Sequence, residues 1–375
     1  MLVAGRYVHP NSLFARLSKI TDYRFSQWRI YPLNKILSLL ILAAVCGERS
    51  LRGMWLWAVN RWEEVREMMD LPPRPPALST VWYILRKVDK RQLAEALGTE
   101  GSDEEVGVDG KSLKGSKRRG QEALAVVTAC GQKMKEVLYQ VEVEGGDEIE
   151  AALRLLMEID LDGKIITLDA KLTQRKIVNH IVEEGGDYIG VLKGNHPALR
   201  DAIEEWMKDQ REDAGVRKPD FVEWDKGHGR IERREIWLVD AKQMEDYVRD
   251  VFGWKGLRLC GYVRRYRKRS DGEEWESDTT TIFVSSLRYE EVSPSGVSGG
   301  IRRHWSVENG VFRVRDVSYE EDRLHARKIA HHLSQIRNGA MTLIRRAGFR
   351  YIPDGWRYFS ARSEKGIELL LGMSW

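Results

Sequence analysis

The sequence predicts an α/β protein: a mixed sheet with a β-rich insertion, preceded by a helical N-terminal domain. Three observations carry this. Residues 1–100 hold apolar runs and aromatic stripes at helical spacing. From Glu104 the pattern changes to short β-branched runs, in the order strand–strand–strand–helix–strand–helix–strand up to Leu192. Four more alternating runs follow between residues 221 and 285. The middle order is that of an RNase H-like fold, a mixed sheet flanked by helices.

Each element has its own local reason. Pro32–Cys46 is strongly apolar, with Pro32 at a helix-initiating position and Gly47 to close it. Ser50 is the expected cap of a helix over Leu51–Met69, whose Trp55, Trp57 and Trp62 read as core. Leu71–Thr80 is a stiff proline linker. Ser79 or Thr80 then caps a helix to Val88, and a second short helix spans Asp89–Leu97. This pair fits a helix-turn-helix, and equally any small helical bundle.

In EEVGVDGKSLKG a short strand ends on Asp109, before a glycine- and lysine-rich turn. Glu122–Cys130 and Lys135–Val143 complete a meander. Asp147–Ile159 has helical spacing, and the buried-strand run Lys164–Leu168 ends on Asp169. A helix over Thr173–Glu184 takes Thr173 as cap, and Tyr188–Leu192 is a strand. After a helix near Leu199–Lys208, strands are expected at Phe221–Asp225, Arg230–Val239, Leu257–Tyr266 and Thr279–Ser285. The GHGR of Gly227–Arg230 is a hairpin turn. Ser293–Gly300 reads as a flexible linker into a helix on which Trp305, Glu308, Phe312 and Arg315 recur. Ala326–Arg346 reads as a basic amphipathic helix whose His331 and His332 face solvent or DNA, and the last segment carries no pattern. The implied domains are 1–100 (helical), 104–194 and 299–346 (the two parts of a core), 195–298 (the β-rich insertion) and 347–375 (a tail).

The chain has 375 residues, 42% hydrophobic and 31% charged, enough for several buried cores. Cys46, Cys130 and Cys260 are widely spaced, which fits a reducing compartment and argues against a disulfide scaffold or a cysteine-ligated metal. Arg6, His9 and Arg16 interrupt any signal-like run, and the apolar Ile36–Cys46 is too short to span a bilayer, so a cytoplasmic location is expected. Net charge is only +4, but Leu257–Arg269 holds six basic residues and no acid, and residues 1–100 and 299–350 also lean basic. Basic surface in separate segments suits a polyanion partner.

Two acids, Asp109 and Asp169, each follow an apolar strand run, and a third, Glu308, sits inside an aromatic and basic helical pattern. Carboxylates brought close together repel unless a cation lies between them, and hard oxygen donors suit Mg²⁺ or Mn²⁺. Two such ions about 3.5–4 Å apart clamp an in-line phosphoryl displacement. Asp109-Gly110-Lys111-Ser112 also looks like the end of a nucleotide-binding loop, but that loop needs a glycine where Glu105 stands.

The chain resembles the DDE transposases of bacterial insertion sequences, in the ISAs-type group that includes the H-repeat-associated proteins. The similar blocks are VGVDGKSLKGS (Val106–Ser116), IITLDAKLTQRKIVNHIVEEGGDYIGVLKGNHPAL (Ile165–Leu199), HGRIERR (His228–Arg234), RRHWSVEN with DVSYEED, and the N-terminal YPLNKILSLLILAAVCGERS. The resemblance implies that Asp109, Asp169 and Glu308 are the catalytic, metal-holding residues, with two Mg²⁺ or Mn²⁺ ions. It implies double-stranded DNA as partner, both the element's terminal inverted repeats and a target, with residues 1–100 associated with binding DNA ends and a bacterial cytoplasmic, nucleoid-associated location; paired ends suggest a homodimer in the DNA complex. Lys111, Lys193, Asn195, Arg302, Arg303, His304, Trp305, Asn309 and Arg315 are the expected DNA contacts. The chain departs from the family after HWSVEN: Val311–Val317 lacks a second His-Trp pair, and the signature positions of the helix read Ile301, His304, Glu308 and Arg315. Two other readings stay open: a non-catalytic DNA-binding relative, and a non-transposing nuclease on the same fold.

Overall fold

The computed structural model describes residues 2–99, 103–117, 119–214, 218–227, 229–272, 274–275 and 277–373. The chain divides into two compact units. The first comprises Met1–Ser102, Gly110–Ile159 and Val307–Trp375, and the second Asp103–Asp109 and Asp160–Ser306.

The first unit opens on a short antiparallel pair, β1 (Leu2–Val3) and β2 (Arg6–Tyr7). Helix α1 (Leu13–Leu17) is capped by Ser12, whose side chain accepts from Ala15 N. The apolar run becomes α2 (Leu33–Val45), buried almost all round, as a helix with no polar face must be. The helix expected from Leu51 is two, α3 (Leu51–Asn60) and α4 (Trp62–Met69), broken at Arg61. Ser50 does cap α3, accepting from Gly53 N at 3.0 Å. Trp57 and Trp62 are core, as expected. The indoles of Trp55 and Trp62 donate to the carbonyls of Pro76 (2.8 Å) and Pro72 (3.1 Å), which fastens the proline linker. Helix α5 (Leu78–Lys87) begins before Ser79, after Ala77, so neither expected side chain caps it. Asp89 caps α6 (Lys90–Leu97), accepting from Gln92 N at 2.8 Å.

Strand β3 (Glu105–Leu113) is longer than its apolar run and does not stop at Asp109. Its residues to Asp109 belong to the second unit and those from Gly110 to the first. With β4 (Leu124–Gly131) and β5 (Val137–Glu142) it forms the expected meander, order β5-β4-β3. Helix α7 (Glu148–Leu156), capped by Asp147, packs on β4 and β5.

The second unit continues with β6 (Ile165–Leu168), α8 (Arg175–Glu183), β7 (Asp187–Leu192), α9 (Pro197–Ala214), β8 (Phe221–Gly227), β9 (Arg230–Asp240), α10 (Glu245–Phe252), β10 (Leu259–Arg269), β11 (Ser277–Ser285) and α11 (Pro294–Val307). Its strand order is β3-β6-β7-β11-β10-β9-β8. β3, β6 and β7 are parallel, and the rest antiparallel. The four late strands therefore prolong the sheet of β6 and β7, with Phe283 of β11 opposite Val191 of β7. Gly227 pairs with Arg230, and Gly229 between them takes φ +72°, so the hairpin turn falls where expected; His228 lies outside the described residues. Ile189, Ile236, Leu238, Leu259 and Phe283 form one core, closed by Val297 of α11.

Ser293–Gly300 is helix, not linker. Ser293 Oγ accepts from Gly296 N at 3.1 Å, and Pro294 opens the helix where a missing N–H costs nothing. The glycines serve packing: a Cβ on Gly300 would sit 3.1 Å from Ile189 Cδ1.

After Val307 the first unit resumes with two widened π-helical stretches, Glu308–Phe312 and Val314–Ser318. Helix α12 (Ala330–Arg346) follows, and the tail folds into α13 (Ile352–Ala361) and α14 (Ser363–Leu371). Helix α12 is buried along nearly its whole length against α2 and α6, so the expected amphipathic surface helix is a core helix. His331 and His332 are buried rather than facing solvent or DNA. His332 Nε2 lies 2.9 Å from Val88 O.

Burial drives both imidazole pKa values down, His331 furthest. His332, Lys90 and Arg315 add to the effect at His331; at His332 the bond to Val88 O opposes it, Lys90 adds to it, and Glu142 and Asp89 oppose it further. Below pH about 6.5 the unfolded chain binds protons that the folded one refuses, so stability falls as pH drops. The melting temperature should therefore fall between pH 7 and pH 5, and less steeply in His331→Leu; parallel curves for the two proteins would remove His331 as the cause.

Among the described residues no helix is long and apolar enough to cross a membrane, and the three cysteines are free and buried.

Candidate active site

In the second unit the register decides the geometry. Val106 of β3 pairs with Ile166 of β6, Gly107 with Thr167, and Val108 with Leu168. The next residue on each strand is an aspartate, Asp109 and Asp169. Parallel neighbours lie about 4.8 Å apart, so the two carboxylates leave adjacent strands side by side. There β6 ends while β3 runs on. Asp169 Oδ1 accepts from Leu172 N at 2.8 Å, and its carbonyl accepts from Thr173 Oγ1 at 2.6 Å. Thr173 thus braces the turn behind Asp169 and does not cap α8, which starts after Gln174.

His304 of α11 stands against β6, its Nδ1 3.0 Å from Thr167 Oγ1. Burial pushes its pKa down, and the Asp169 charge pulls it partly back. A neutral imidazole is a poor phosphate contact, so His304 is placed as a strut between helix and sheet. Arg303 Nε donates to Glu105 at 2.6 Å, and Arg302 is paired with Glu223 and Asp225. Asn195 donates to Ala170 O at 2.7 Å and accepts from Lys193 N at 3.2 Å, tying the turn after β7 to the turn after Asp169. Of the DNA contacts expected in this unit, Lys193, Asn195 and Trp305 are exposed, Trp305 by 54%.

In the first unit Glu308 and Asn309 are exposed at the start of the widened helix. Arg315 and Lys111 are not DNA-facing as expected. Arg315 is 0% exposed: Nε and Nη2 donate to Glu321 Oε2 at 2.8 and 2.6 Å, and Nη1 to Gln140 at 2.9 Å. Lys111 Nζ lies 2.6 Å from both carboxylate oxygens of Asp316. The widening explains Arg315. Seven residues along a regular α-helix return almost to the same face, but each π turn takes in an extra residue, a drift of about 100°.

One feature of the second unit escaped the sequence reading. Trp224 on β8 pairs with Arg233 on β9, and Arg233 with Tyr266 on β10. The Arg233 guanidinium lies 5.5 Å from the Trp224 ring and 5.7 Å from that of Tyr266. Trp275 stands 5.9 Å from Trp224 with Lys268 over it. Trp224 is 57% exposed, so flat aromatic faces and cations share one open surface. Counting back from the GHGR turn already sets Trp224 opposite Arg233, which was the available signal.

Among the described residues no three His, Cys, Asp or Glu side chains form a ready metal cluster. The Asp109 and Asp169 donors still fit a hard divalent cation, because two adjacent carboxylates gain most from a charge placed between them.

Residues 99–344 match the family described as Transposase DDE domain, and residues 14–99 the family described as DDE_Tnp_1-associated. The chain belongs to the DDE transposase family. Among its relatives in Escherichia coli K12, the H repeat-associated putative transposase YhhI is 28% identical over 346 residues, 88% of this chain and 90% of that one. The putative protein YbfL is 27% identical over the same shares. The putative transposase YncI of E. coli O157:H7 is 27% identical over 350 residues, 89% of this chain and 87% of its own. The cryo-EM structure of the piggyBac transposase synaptic complex with hairpin DNA overlaps at TM-score 0.43 and 10% identity, over 99% of this chain and 78% of that one, too little to bear on function.

Proposed function

We propose that this DDE-family chain is a transposase that binds the terminal inverted repeats of an insertion sequence, cleaves DNA strands at their ends and joins the freed 3′-hydroxyls to target DNA. The observation that carries the reading is the Val108–Leu168 register, after which the next residue of each chain segment is an aspartate. An RNase H-like core is the matching fold reading: a meander whose first strand, β3, takes a parallel neighbour, β6, and then a second, β7. Asp109, Asp169 and Glu308 would hold Mg²⁺ or Mn²⁺. Glu308 follows His304 by four residues, and His304 bonds Thr167, two residues before Asp169.

The metal, when bound, supplies an activated water or 3′-hydroxyl and charge stabilisation at the leaving oxygen. The residues do the rest. The Leu172 N–H fixes one Asp169 oxygen, leaving the other to the metal side. Lys193, Trp305 and Asn309 are available to phosphates or bases, and the Trp224–Arg233–Tyr266 surface offers stacking and charge to the DNA backbone. Arg302 and Arg303 would first have to leave their carboxylate partners. The helical domain over 1–100 would contact the DNA ends, and paired ends favour a homodimer in the complex.

The test is a supercoiled plasmid carrying the flanking repeats, incubated with protein and Mg²⁺ or Mn²⁺, with all breaks mapped. Breaks at the repeat ends with joined products are expected. Breaks without joining would favour a non-transposing nuclease, and specific binding without breaks a non-catalytic relative. Divalent metal should also raise the melting temperature of the intact protein by relieving carboxylate repulsion, and an equal rise in Asp169→Asn would remove Asp169 from the ligand set.

A further inference from the structure

Glu308 opens a helix that is wound too wide. The backbone N–H of Arg313 bonds to the carbonyl of Glu308, and Tyr319 N to Val314 O at 3.2 Å, both spanning five residues. Such turns are rare and collect at functional sites. A widened helix relaxes to the ordinary one unless its neighbours hold it, and here three cations of the first unit do so. Arg345 of α12 is buried and donates to the carbonyls of Gly310 and Lys135. The Lys135 side chain covers Gly310, where a Cβ would sit 2.7 Å from its Cδ and push it aside. Arg315 turns inward onto Glu321 and Gln140. Lys111 reaches across from β3 to grip Asp316 with both oxygens at 2.6 Å, with Asp322 at 3.8 Å. Its ammonium and the Arg315 guanidinium lie 5.9 and 5.7 Å from the ring of Phe312.

We propose that Lys111 is a positioning residue: its ion pair with Asp316 holds the widened helix in register with β3 and so sets where Glu308 presents its carboxylate. The inference rests on the metal triad proposed above. Lys111 stands two residues past Asp109, on the same face of the same strand. Lys111 and Asp316 both belong to the first unit, so one ion pair ties β3 from Gly110 onward to the segment of the glutamate. A metal ligand must be held to about 0.5 Å, and the loss of one π turn would swing Glu308 round by about 100°. The Lys111 side chain is 8% exposed and faces its own carboxylates, which suits this role and not a phosphate contact.

The test measures Mn²⁺ binding by calorimetry, together with strand cleavage, on the full chain. Wild type and Glu308→Gln set the baseline. If wild type binds no Mn²⁺, or Glu308→Gln binds it equally, the triad reading itself fails, and this inference with it. With the baseline in place, Lys111→Met should keep its far-UV dichroism but lose about tenfold or more in Mn²⁺ affinity, the size of loss that follows removal of a group supporting a ligand. The exchanged pair, Lys111→Asp with Asp316→Lys, should recover most of that loss in affinity and cleavage alike. A folded Lys111→Met with wild-type Mn²⁺ affinity overturns the proposal. So does an exchanged pair that folds but stays weak, because the ammonium itself would then be what is needed. Should Lys111→Met not fold, the exchanged pair decides by the same measure.

Discussion

Asp169→Asn should lower strand cleavage by on the order of a thousandfold while leaving the melting temperature of the metal-free protein nearly unchanged. The local structure makes this substitution a clean one. Asp169 Oδ1 accepts from Leu172 N, and an asparagine carbonyl oxygen can accept the same bond. The backbone carbonyl that Thr173 binds is untouched. What is lost is the negative charge, which stands beside that of Asp109 in the adjacent strand. Without metal that charge is repulsive, so its removal costs the fold little. With metal it is a ligand, and its removal costs the reaction. The same change should lower the pKa of His304 further, because the Asp169 charge is what opposes burial there. Cleavage at the repeat ends, melting and the His304 titration by NMR check the three parts. Cleavage retained within about tenfold of wild type would mean that Asp169 is a turn residue, as most acids after a strand are.

Asp109 and Asp169 stood out because each is an acid after a β-branched run, which is a local pattern, although only β6 ends at its acid and β3 runs on. The order of the elements implied that the two strands are neighbours, and β3 and β6 do pair in parallel. The helix from Pro294 was not legible, because Ser and Gly report on backbone freedom and not on what packs beside them. Gly300 is small because Ile189 lies against it. Arg315 was misplaced for a different reason. Helical spacing assumes a constant turn, and Glu308–Phe312 and Val314–Ser318 do not keep it. No local pattern announces a π turn whose supports, Arg345 and Lys111, come from distant parts of the chain. His331 and His332 looked polar, and polar residues on a helix are ordinarily outside. Here α12 is enclosed, and two of its polar side chains meet one on β5: Gln140 Nε2 donates to Ser334 at 2.7 Å, and Asn338 donates to Gln140 at 2.8 Å.

That enclosed network yields the largest expected effect on stability. Glu321 is buried between two buried guanidinium groups, with Arg315 at 2.6 Å and Arg337 at 2.8 Å. Glu321→Ala would leave two unpaired charges in the core, at a cost of about 3–5 kcal/mol. For a chain of 375 residues that is a fall of roughly 5 °C in melting temperature. Arg357→Ala is the control, since its pair with Asp354 is exposed and contributes about 1 kcal/mol or less. The pH dependence separates charge from packing. Burial acts to raise the Glu321 pKa, but Arg315 and Arg337 hold it below the usual carboxylate range. A depressed pKa means that the stabilisation is complete above the unfolded value, about 4.3, and is lost as pH falls through the folded one. Acid unfolding should thus have two stages: the histidines below about pH 6.5, then Glu321 below about 4.3. Glu321→Gln removes the second stage and leaves the first. A wild-type and a Glu321→Gln curve of the same shape below pH 4 would show that Glu321 is held by packing alone. Arg315 would then be free to swing outward at little cost, and its place in the core would no longer argue against a role at the DNA.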